Sequence, residues 1–451
     1  MTVALTAGLG KFIAGLRYQD IPKDAISVIH TGFTDCVGCM IAGAREPAPQ
    51  LLKIMLPPTG GEATLLFGEG RASAMDAAWI NGTAAHALDY DDVAHRGHPS
   101  SVLVPAILAE AEAMGASGEQ MVVAYAAGYE TWAELVRRDP DQHHLKGWHP
   151  TGIFGAIGTA AACASLHKLN AEQAAIAISL GASQSAGLAA NFGTMTKPFH
   201  AGRCAHAGVV SARLARIGFT ASLDALEHPP GFLAAVSPAG RIDVESPVEA
   251  GVVWKLPSSR LSVKKYPLCF CTHRALDGML DLLQAKKISP DAVKSVTVSM
   301  SRRAALTLRN HEPDTGLAAK FSIEFAMASA LITKRAGMAE LTDDFVRRPD
   351  VQALMKRVKV VTSDGPEDAL GYAPYDQVTV ETSDGRHLES EHVTKVRGGP
   401  DLPLNRDELW QKFESCLHAG TTPVPARKLF DSLMSLDRLP HVRELPGLAA
   451  A

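Results

Sequence analysis

The sequence lacks the features that mark several large functional classes. It has no long basic run, and 44 Lys and Arg against 48 Asp and Glu give a net charge of −4, which argues against nucleic-acid binding. No run of about 18 purely apolar residues, the length that a transmembrane helix needs, is present. The N-terminus has no basic start followed by an apolar core, so no secretion signal is predicted. These absences predict a protein with neither a membrane nor a nucleic-acid partner.

Cysteine and the common catalytic motifs are also scarce. The seven cysteines are an odd and modest number, which favours a reducing compartment and a cytoplasmic location. Cys36 and Cys39 form a Cys-x-x-Cys pair in an apolar segment, where core residues are the commoner interpretation. The sequence has no Gly-x-Ser-x-Gly element, no nucleotide-binding glycine loop and no His-Glu-x-x-His motif. It therefore gives no support for a serine hydrolase, a P-loop enzyme or a dinucleotide-binding domain.

Aromatic residues make up only 6% of the chain, whereas alanine and glycine are abundant in its first 260 residues. This composition favours closely packed helices. Gly152, Gly155 and Gly158 recur at helical spacing, where each costs roughly 1 kcal/mol but lets another backbone approach. The predicted helices of this region are Lys23–Ala44, Asn81–Tyr90, Ser101–Met114, Gln120–Val136, Thr151–Leu166, Glu172–Ala190 and Ala207–Ile217.

The pattern changes near residue 262, where alternating segments appear. A Ser-Asp-Gly sequence between two such segments predicts a β-hairpin. The predicted strands are Ser295–Met300, Val358–Thr362, Gln377–Thr382 and Arg386–Val393, and the predicted helices are Thr272–Ala285 and Lys320–Thr333.

The simplest architecture is mainly α with an α+β second domain. Residues 1–262 are predicted to form a helical domain, 263–397 a smaller α+β domain, and 398–451 a C-terminal helical return to the first domain. Asn405 and Glu408 resemble a capping box at the start of a last helix, Arg406–Ala419. At about 150 residues per domain, the chain length suits two or three domains.

The densest group of ionisable side chains lies between His86 and His98, where three carboxylates and three histidines fall within thirteen positions. One interpretation is a general acid or base, because nearby carboxylates tune an imidazole. Another is a metal site, although no recurring ligand spacing supports it. The structural alternative is that His86 is a core histidine and that Asp91 and Asp92 end a helix.

Two further segments contain candidate groups among glycines. His149 precedes the glycine-rich helix, whose N-terminal N–H groups suit a carboxylate ligand; the alternative is a surface histidine beside a capping Thr151. Lys197 lies among Gly, Thr and Pro residues, as an anion anchor or proton donor would. A Schiff base with a pyridoxal cofactor would also need a lysine, but no phosphate-binding loop is evident. The alternative is a solvated loop lysine.

A fourth segment, at the predicted domain junction, contains Lys264, Cys269, Cys271 and His273. Ligands prefer domain interfaces. The two cysteines and the histidine suggest zinc, but their spacing is too tight for a closed structural site and no second ligand set completes it. No metal is therefore predicted.

Taken in chain order, these motifs resemble the MmgE/PrpD family. They are NGTAAHALDYDD followed by GHPSS, then GWHPTG, GTMTKPFHAG, KKYPLC with a later histidine, and AKFSIEF. The resemblance covers almost the whole chain, and the family includes 2-methylcitrate dehydratase, cis-aconitate decarboxylase and iminodisuccinate epimerase. It implies a large all-helical domain built from both chain ends, a smaller inserted α+β lid, a homodimer, and neither a metal nor an organic cofactor.

The resemblance also implies roles for individual residues. Carried over by motif, the active-site aspartate is Asp89, the two proton-transferring histidines are His98 and His149, and the active-site lysine is Lys197. The expected substrate is a small di- or tricarboxylate that passes through an enolate-like carbanion. Asp89 would orient a neighbouring imidazole. The residues expected to bind the substrate are Lys264, Arg96, Cys269, His273 and Phe325.

Three positions depart from the family's decarboxylase pattern. Phe325 replaces a tyrosine, Cys269 a histidine and Val93 a threonine, which argues against cis-aconitate decarboxylation. The first expectation is a lyase, a hydro-lyase of the 2-methylcitrate dehydratase type. The alternative is an epimerase of the iminodisuccinate type, and the outside alternative is a non-catalytic protein that binds a small ligand.

Overall fold

The computed structural model describes residues 4–362, 373–420 and 424–448. The chain divides into two compact units: the first contains the described residues up to Asn191, Met195–Val263 and those from Asn405 onward, and the second contains Phe192–Thr194 and Lys264–Leu404. The predicted class, mainly α with an α+β domain, is confirmed. The domain boundaries at residues 262 and 397 stay a prediction.

The first unit is helical, with one short antiparallel pair of strands, β1 (Ala63–Thr64) and β2 (Arg71–Ala72). Its helices before the second unit are α1 (Leu5–Gly15), α2 (Lys23–Gly43), α3 (Pro47–Met55), α4 (Ala74–Ala87), α5 (Pro99–Met114), α6 (Gly118–Arg138), α7 (Pro150–Leu166), α8 (Ala171–Ser183), α9 (Thr196–Arg216), α10 (Phe232–Val236) and α11 (Lys255–Ser259).

Three of the predicted helices in this unit have wrong boundaries. Helix α4 spans Ala74–Ala87 rather than Asn81–Tyr90, because the Ser73 side chain caps it earlier and the chain turns away before the aspartates. Helix α8 ends at Ser183 rather than Ala190. Helix α9 begins at Thr196 rather than Ala207, because Pro198 lies in its first turn, where a missing N–H is tolerated.

Helix α2 forms part of the core of this unit. Within the described residues it is the one helix long and apolar enough to span a bilayer, but most of it is buried against other helices. Cys36 and Cys39, the predicted core pair, are both 0% exposed. The buried Asp35 of α2 pairs with Lys412 at 2.5 Å.

Two of the three glycines predicted to allow close packing of α7, Gly152 and Gly158, lie against neighbouring backbones. A Cβ at Gly152 would clash with the carbonyl oxygen of Ala186, and one at Gly158 would lie 3.1 Å from the carbonyl oxygen of Gly128. Helix α7 therefore packs closely against its neighbours in the region that contains the candidate site.

The second unit is built on a mixed four-stranded sheet with the order β4-β3-β5-β6. Strand β3 (Val293–Met300) pairs parallel to β4 (Val358–Thr362) and antiparallel to β5 (Gln377–Thr382). The predicted hairpin is confirmed by pairing of β5 with β6 (His387–Glu389), although β6 is shorter than predicted. The helices of this unit are α12 (His273–Ala285), α13 (Arg302–Thr307), α14 (Gly316–Ala319), α15 (Ile323–Thr333), α16 (Asp343–Val346) and α17 (Pro349–Met355).

The C-terminal segment returns to the first unit with α18 (Arg406–Ala419) and α19 (Ala426–Leu433). The predicted capping box of α18 is present: Asn405 accepts from the backbone N–H of Glu408, whose carboxylate accepts from the N–H of Asn405. Lys412 of this helix also donates to the backbone carbonyl oxygen of Tyr90 at 2.7 Å. Helix α18 thereby supports the loop that follows α4.

Candidate active site

The loop after α4 brings together the aspartates and histidines of the first motif. His86 lies in the last turn of α4, and Asp89 follows in the left-handed region with φ of 51°. That conformation reverses the chain, so that Asp89 and Asp91 are buried near His86 and near His98, the cap residue of α5. The candidate ligand atoms of these four side chains lie within 4.8 Å of one another.

Asp91 bridges two imidazoles. Its carboxylate lies 2.8 Å from Nδ1 of His86 and 3.1 Å from Nδ1 of His98. The two ring centroids are 4.3 Å apart. The backbone N–H of His98 donates to Oγ1 of Thr151 at 3.1 Å, which ties this group to the start of α7. Asp91, rather than Asp89, is therefore the carboxylate that orients the imidazoles.

Asp89 instead pairs with Lys197. Nζ of Lys197 lies 2.6 Å from Oδ1 of Asp89, whereas Nε2 of His98 lies 3.8 Å from the same oxygen. Lys197 is only 5% exposed in the first turn of α9. The alternative of a solvated loop lysine is therefore wrong, because the segment is helical and the side chain is buried.

His149 is the third histidine beside His86. Its ring is stacked on that of His86 with centroids 6.0 Å apart, and its Nδ1 lies 3.1 Å from Nδ1 of His200. His149 is 2% exposed, so it is not a surface histidine. The structure thus brings Asp89, His98, His149 and Lys197 into one buried group within the first unit, while their individual roles stay predictions.

Burial sets the protonation of this group. Burial lowers the pKa of His86 to about 3 despite the opposing effect of Asp91. Burial also holds the pKa of His149 well below its usual value, and Lys197 adds to the effect. For Asp91, burial opposes ionisation, but His86 and His98 outweigh it and hold its pKa well below the usual range. The group therefore contains an ionised Asp91 and neutral imidazoles at His86 and His149.

The spacing of His86, Asp89, Asp91 and His98 is also compatible with a metal ion. Groups of the protein already occupy several of these atoms. Lys197 pairs with Asp89, and Asp91 contacts Nδ1 of both histidines. Ion pairing within the protein accounts for the arrangement, and the absence of a metal stays a prediction.

The site includes two residues to which sequence reasoning gave no catalytic part. His86 is also consistent with a core histidine, yet its ring contacts that of His98 and stacks with that of His149. His200 follows Lys197 by three positions, so both lie on one face of α9. A helical prediction for that segment would have placed His200 beside Lys197.

Arg96, one of the expected substrate-binding residues, has backbone partners in the structure. Its guanidinium donates to the carbonyl oxygen of Asp139 at 3.1 Å, to that of Pro140 at 2.8 Å, and to that of Asp141. Arg96 has a left-handed φ of 66°. These contacts fix the loop that follows α6, and a role for Arg96 in binding substrate stays a prediction.

The other expected substrate-binding residues lie in the second unit. Lys264 and Cys269 are buried, and the Cys269 N–H donates to the carbonyl oxygen of Lys320 at 2.9 Å. His273 is 0% exposed, with Nε2 3.3 Å from the carbonyl oxygen of Leu268. Phe325 belongs to the hydrophobic core of this unit, 1% exposed. Their part in substrate binding also stays a prediction.

Comparison with known proteins extends the motif resemblance to whole domains. The MmgE/PrpD N-terminal domain matches residues 7–245 and the MmgE/PrpD C-terminal domain matches residues 266–436. Cis-aconitate decarboxylase from Mus musculus is 25% identical over 377 residues, which cover 80% of this chain and 74% of the relative. The protein of the same name from Homo sapiens is 26% identical over 356 residues, 75% of this chain and 72% of the relative.

A fungal relative matches over a longer range. Cis-aconitate decarboxylase from Aspergillus terreus (strain NIH 2624 / FGSC A1156) is 23% identical over 470 aligned residues, which cover 98% of this chain and 95% of the relative. The two domain matches follow each other in the chain, and the N-terminal match alone covers more than half of it. The protein therefore belongs to the MmgE/PrpD family.

Proposed function

We propose that the protein is a lyase that acts on a small di- or tricarboxylate through an enolate-like carbanion. Family membership and the relatives named cis-aconitate decarboxylase support the lyase class and the substrate class. The observation that carries the proposal is the buried group around Asp91, in which one carboxylate orients two imidazoles beside a lysine.

The chemical task is to form negative charge on a carbon next to a carboxylate. A preorganised cation near the developing charge is usually the largest contribution to such a reaction. Lys197 supplies a buried cation, which Asp89 holds in place. A substrate carboxylate would approach Lys197 and share it with Asp89. Lys264 is proposed as a second carboxylate anchor.

Proton transfer is assigned to the histidines. Nδ1 of His86 and Nδ1 of His98 both face Asp91, so we assign proton exchange with a substrate to Nε2 of these rings. Nε2 of His86 is buried and has no hydrogen-bond partner among the described residues. We assign the transfer itself to His98 and His149, for which positioned proton transfer contributes a factor of roughly 10² to 10⁴.

Dehydration of a 2-methylcitrate-like substrate is the first specific reaction we propose. The relatives are named decarboxylases, but the departures at Val93, Cys269 and Phe325 remove three polar groups of the decarboxylase pattern. The buried, apolar setting of Phe325 gives no polar substitute at that position. We therefore propose dehydration as the first specific reaction and decarboxylation of cis-aconitate only after it.

An epimerase is the second candidate. The different partners of the histidines favour an epimerase: His86 and His98 share Asp91, whereas His149 pairs with His200. Epimerisation needs one group to remove a proton and another to return it on the opposite face. The homodimer and the cytoplasmic location implied by the family resemblance are likewise proposed, and light scattering of the purified protein would test the dimer.

Proton NMR in D₂O with 2-methylcitrate, citrate, cis-aconitate and iminodisuccinate would test the reaction. A new vinyl signal is expected, and its identity distinguishes dehydration from decarboxylation. Deuterium uptake at a stereocentre without a new product would favour the epimerase instead. If all four compounds stayed unchanged, the proposed substrate class would be wrong.

A further inference from the structure

His149 and His200 approach each other through identical ring atoms. Their Nδ1 atoms lie 3.1 Å apart, with ring centroids 5.3 Å apart at 51°. Both rings are buried, at 2% and 8% exposure. Two nitrogens at this distance form an N–H···N hydrogen bond only if a single proton lies between them.

The same short segment fixes both rings. The backbone N–H of His149 donates to the carbonyl oxygen of Gly187 at 3.0 Å. A Cβ at Gly187 would lie 3.3 Å from the His200 ring. The backbone φ of Gly187 is 141°, a value that residues other than glycine rarely adopt. Gly187 thus holds the His149 backbone and leaves no room for a side chain beside the His200 ring.

The surroundings keep both rings uncharged. Burial first, and the Lys197 ammonium second, hold the pKa of His149 well below its usual value and lower that of His200 to about 4. A neutral imidazole carries its proton on one ring nitrogen and a lone pair on the other. If Nδ1 of His200 donates, His149 must carry its own proton on Nε2; if Nδ1 of His200 accepts, Nε2 of His149 has the lone pair.

We propose that His200 is a positioning residue that holds His149 in the tautomer complementary to its own. The tautomer of His149 decides whether Nε2 offers a proton or a lone pair. His200 therefore determines whether His149 acts as an acid or as a base. The tautomer pairing rests on the 3.1 Å contact and on the uncharged state of both rings, whereas its catalytic consequence rests on the proposed function.

Nitrogen NMR of the full-length protein labelled with ¹⁵N-histidine tests the pairing without any substrate. Long-range ¹H–¹⁵N correlations distinguish protonation at Nδ1 from protonation at Nε2, and His149→Asn assigns the His149 signals by their loss. We expect opposite tautomers for His149 and His200, with a scalar coupling between their Nδ1 atoms. In His200→Leu the coupling should vanish and His149 should become a mixture of tautomers.

Two further variants separate this role from a merely structural one. The side-chain amide of His200→Asn can donate or accept near the Nδ1 position, so this variant should restore a hydrogen bond to Nδ1 of His149 while allowing either His149 tautomer. His206, also on α9 but beside Trp79 at 5.0 Å, provides the matched control, since His206→Leu should leave the His149 signals unchanged. Equal tautomers in the two rings, or unchanged His149 signals in His200→Leu, would overturn the proposal.

Kinetics on a polycarboxylate that the enzyme converts test the consequence. His200→Leu should lower kcat by up to roughly 10²-fold while KM changes little, and His200→Asn should recover only part of the loss. Complementary tautomers without turnover of any of the four polycarboxylates would refute the proposed function and leave the pairing intact. Turnover with equal tautomers would refute the pairing alone.

Discussion

At the scale of the residue, the candidate site depends on which buried carboxylate pairs with the lysine and which with the imidazoles. The motifs around Asp89, His98, His149 and Lys197 indicated those side chains, and the structure places them in one buried group. The sequence analysis predicted that Asp89 orients a neighbouring imidazole, whereas Asp91 contacts Nδ1 of both His86 and His98. The difference depends on the left-handed φ of Asp89, which a non-glycine residue rarely adopts and no local pattern indicates.

Asp91→Asn tests the bridging carboxylate. An amide has one accepting oxygen and a donating nitrogen, so it cannot accept from Nδ1 of both His86 and His98 and forces one ring into the wrong tautomer. We expect kcat to fall by about 10²- to 10⁴-fold. Steady-state kinetics would measure this, and Asp76→Asn, in the first turn of the same α4, is the control. Wild-type turnover in Asp91→Asn would contradict the assignment.

At the scale of the element, helix interiors could be predicted better than helix ends. Alanine- and glycine-rich periodicity identified α5, α6 and α7 to within three residues at each end. The predicted start of α9 is wrong, because a lysine among Gly, Thr and Pro residues is also typical of a loop. Proline is compatible with a first helical turn, and Gly202 is needed where α9 meets α4: a Cβ there would clash with Oγ1 of Thr83.

Gly202→Ala should therefore destabilise the protein. The added methyl group would force apart α4 and α9, which contain His86 and Lys197, at an expected cost of about 1–3 kcal/mol in the free energy of unfolding. Gly15→Ala is the matched control, because nothing lies within 4 Å of a Cβ there, and it should be neutral or slightly stabilising. Urea unfolding measures both. Equal stabilities of the two variants would contradict close packing at Gly202.

Lys412→Met tests the support that α18 gives to the loop after α4. Burial opposes the charge of Lys412, but Asp35 outweighs burial and raises the pKa of the lysine well above its usual value. Removing the lysine leaves Asp35 buried without its ion-pair partner, at an expected cost of about 3–5 kcal/mol. Adding Asp35→Asn should recover part of this loss. If Lys412→Met unfolded at the wild-type urea concentration, the ion pair would have no part in stability.

At the scale of the whole molecule, family and fold class followed from motif order and from the change in pattern near residue 262. The substrate did not, because the residues expected to bind it, such as Phe325 and Cys269, follow no motif that fixes a substrate. The pH dependence of stability is likewise a property of the folded molecule. It depends on which ionisable groups are buried, and sequence does not show that.

Two buried groups should change stability with pH in opposite directions. The pKa of His86 falls from 6.5 to about 3, chiefly through burial, so the unfolded chain binds its proton first and stability is lost as the pH falls below about 6.5. Burial raises the pKa of Glu130 from 4.5 to about 7, so its contribution is present below pH 4.5 and is lost as the pH rises through about 7.

The variants His86→Gln and Glu130→Gln would separate these contributions in urea unfolding between pH 4.5 and 7.5. Relative to His86→Gln, the free energy of unfolding of the wild type should fall by up to about 1.4 kcal/mol per pH unit on acidification. Relative to Glu130→Gln, it should fall by up to about the same amount per pH unit on alkalinisation. Parallel pH profiles for wild type and variants would contradict the shifted pKa values of His86 and Glu130.

The most direct test of the central claim is the turnover of His149→Ala and Lys197→Ala on the polycarboxylate that the NMR experiment identifies. Lys11→Ala, an exposed position in the same unit, is the control and should match the wild type. We expect each site variant to lose at least roughly 10²-fold in kcat/KM. Near wild-type turnover in both would show that the buried group around Asp91 is not the active site.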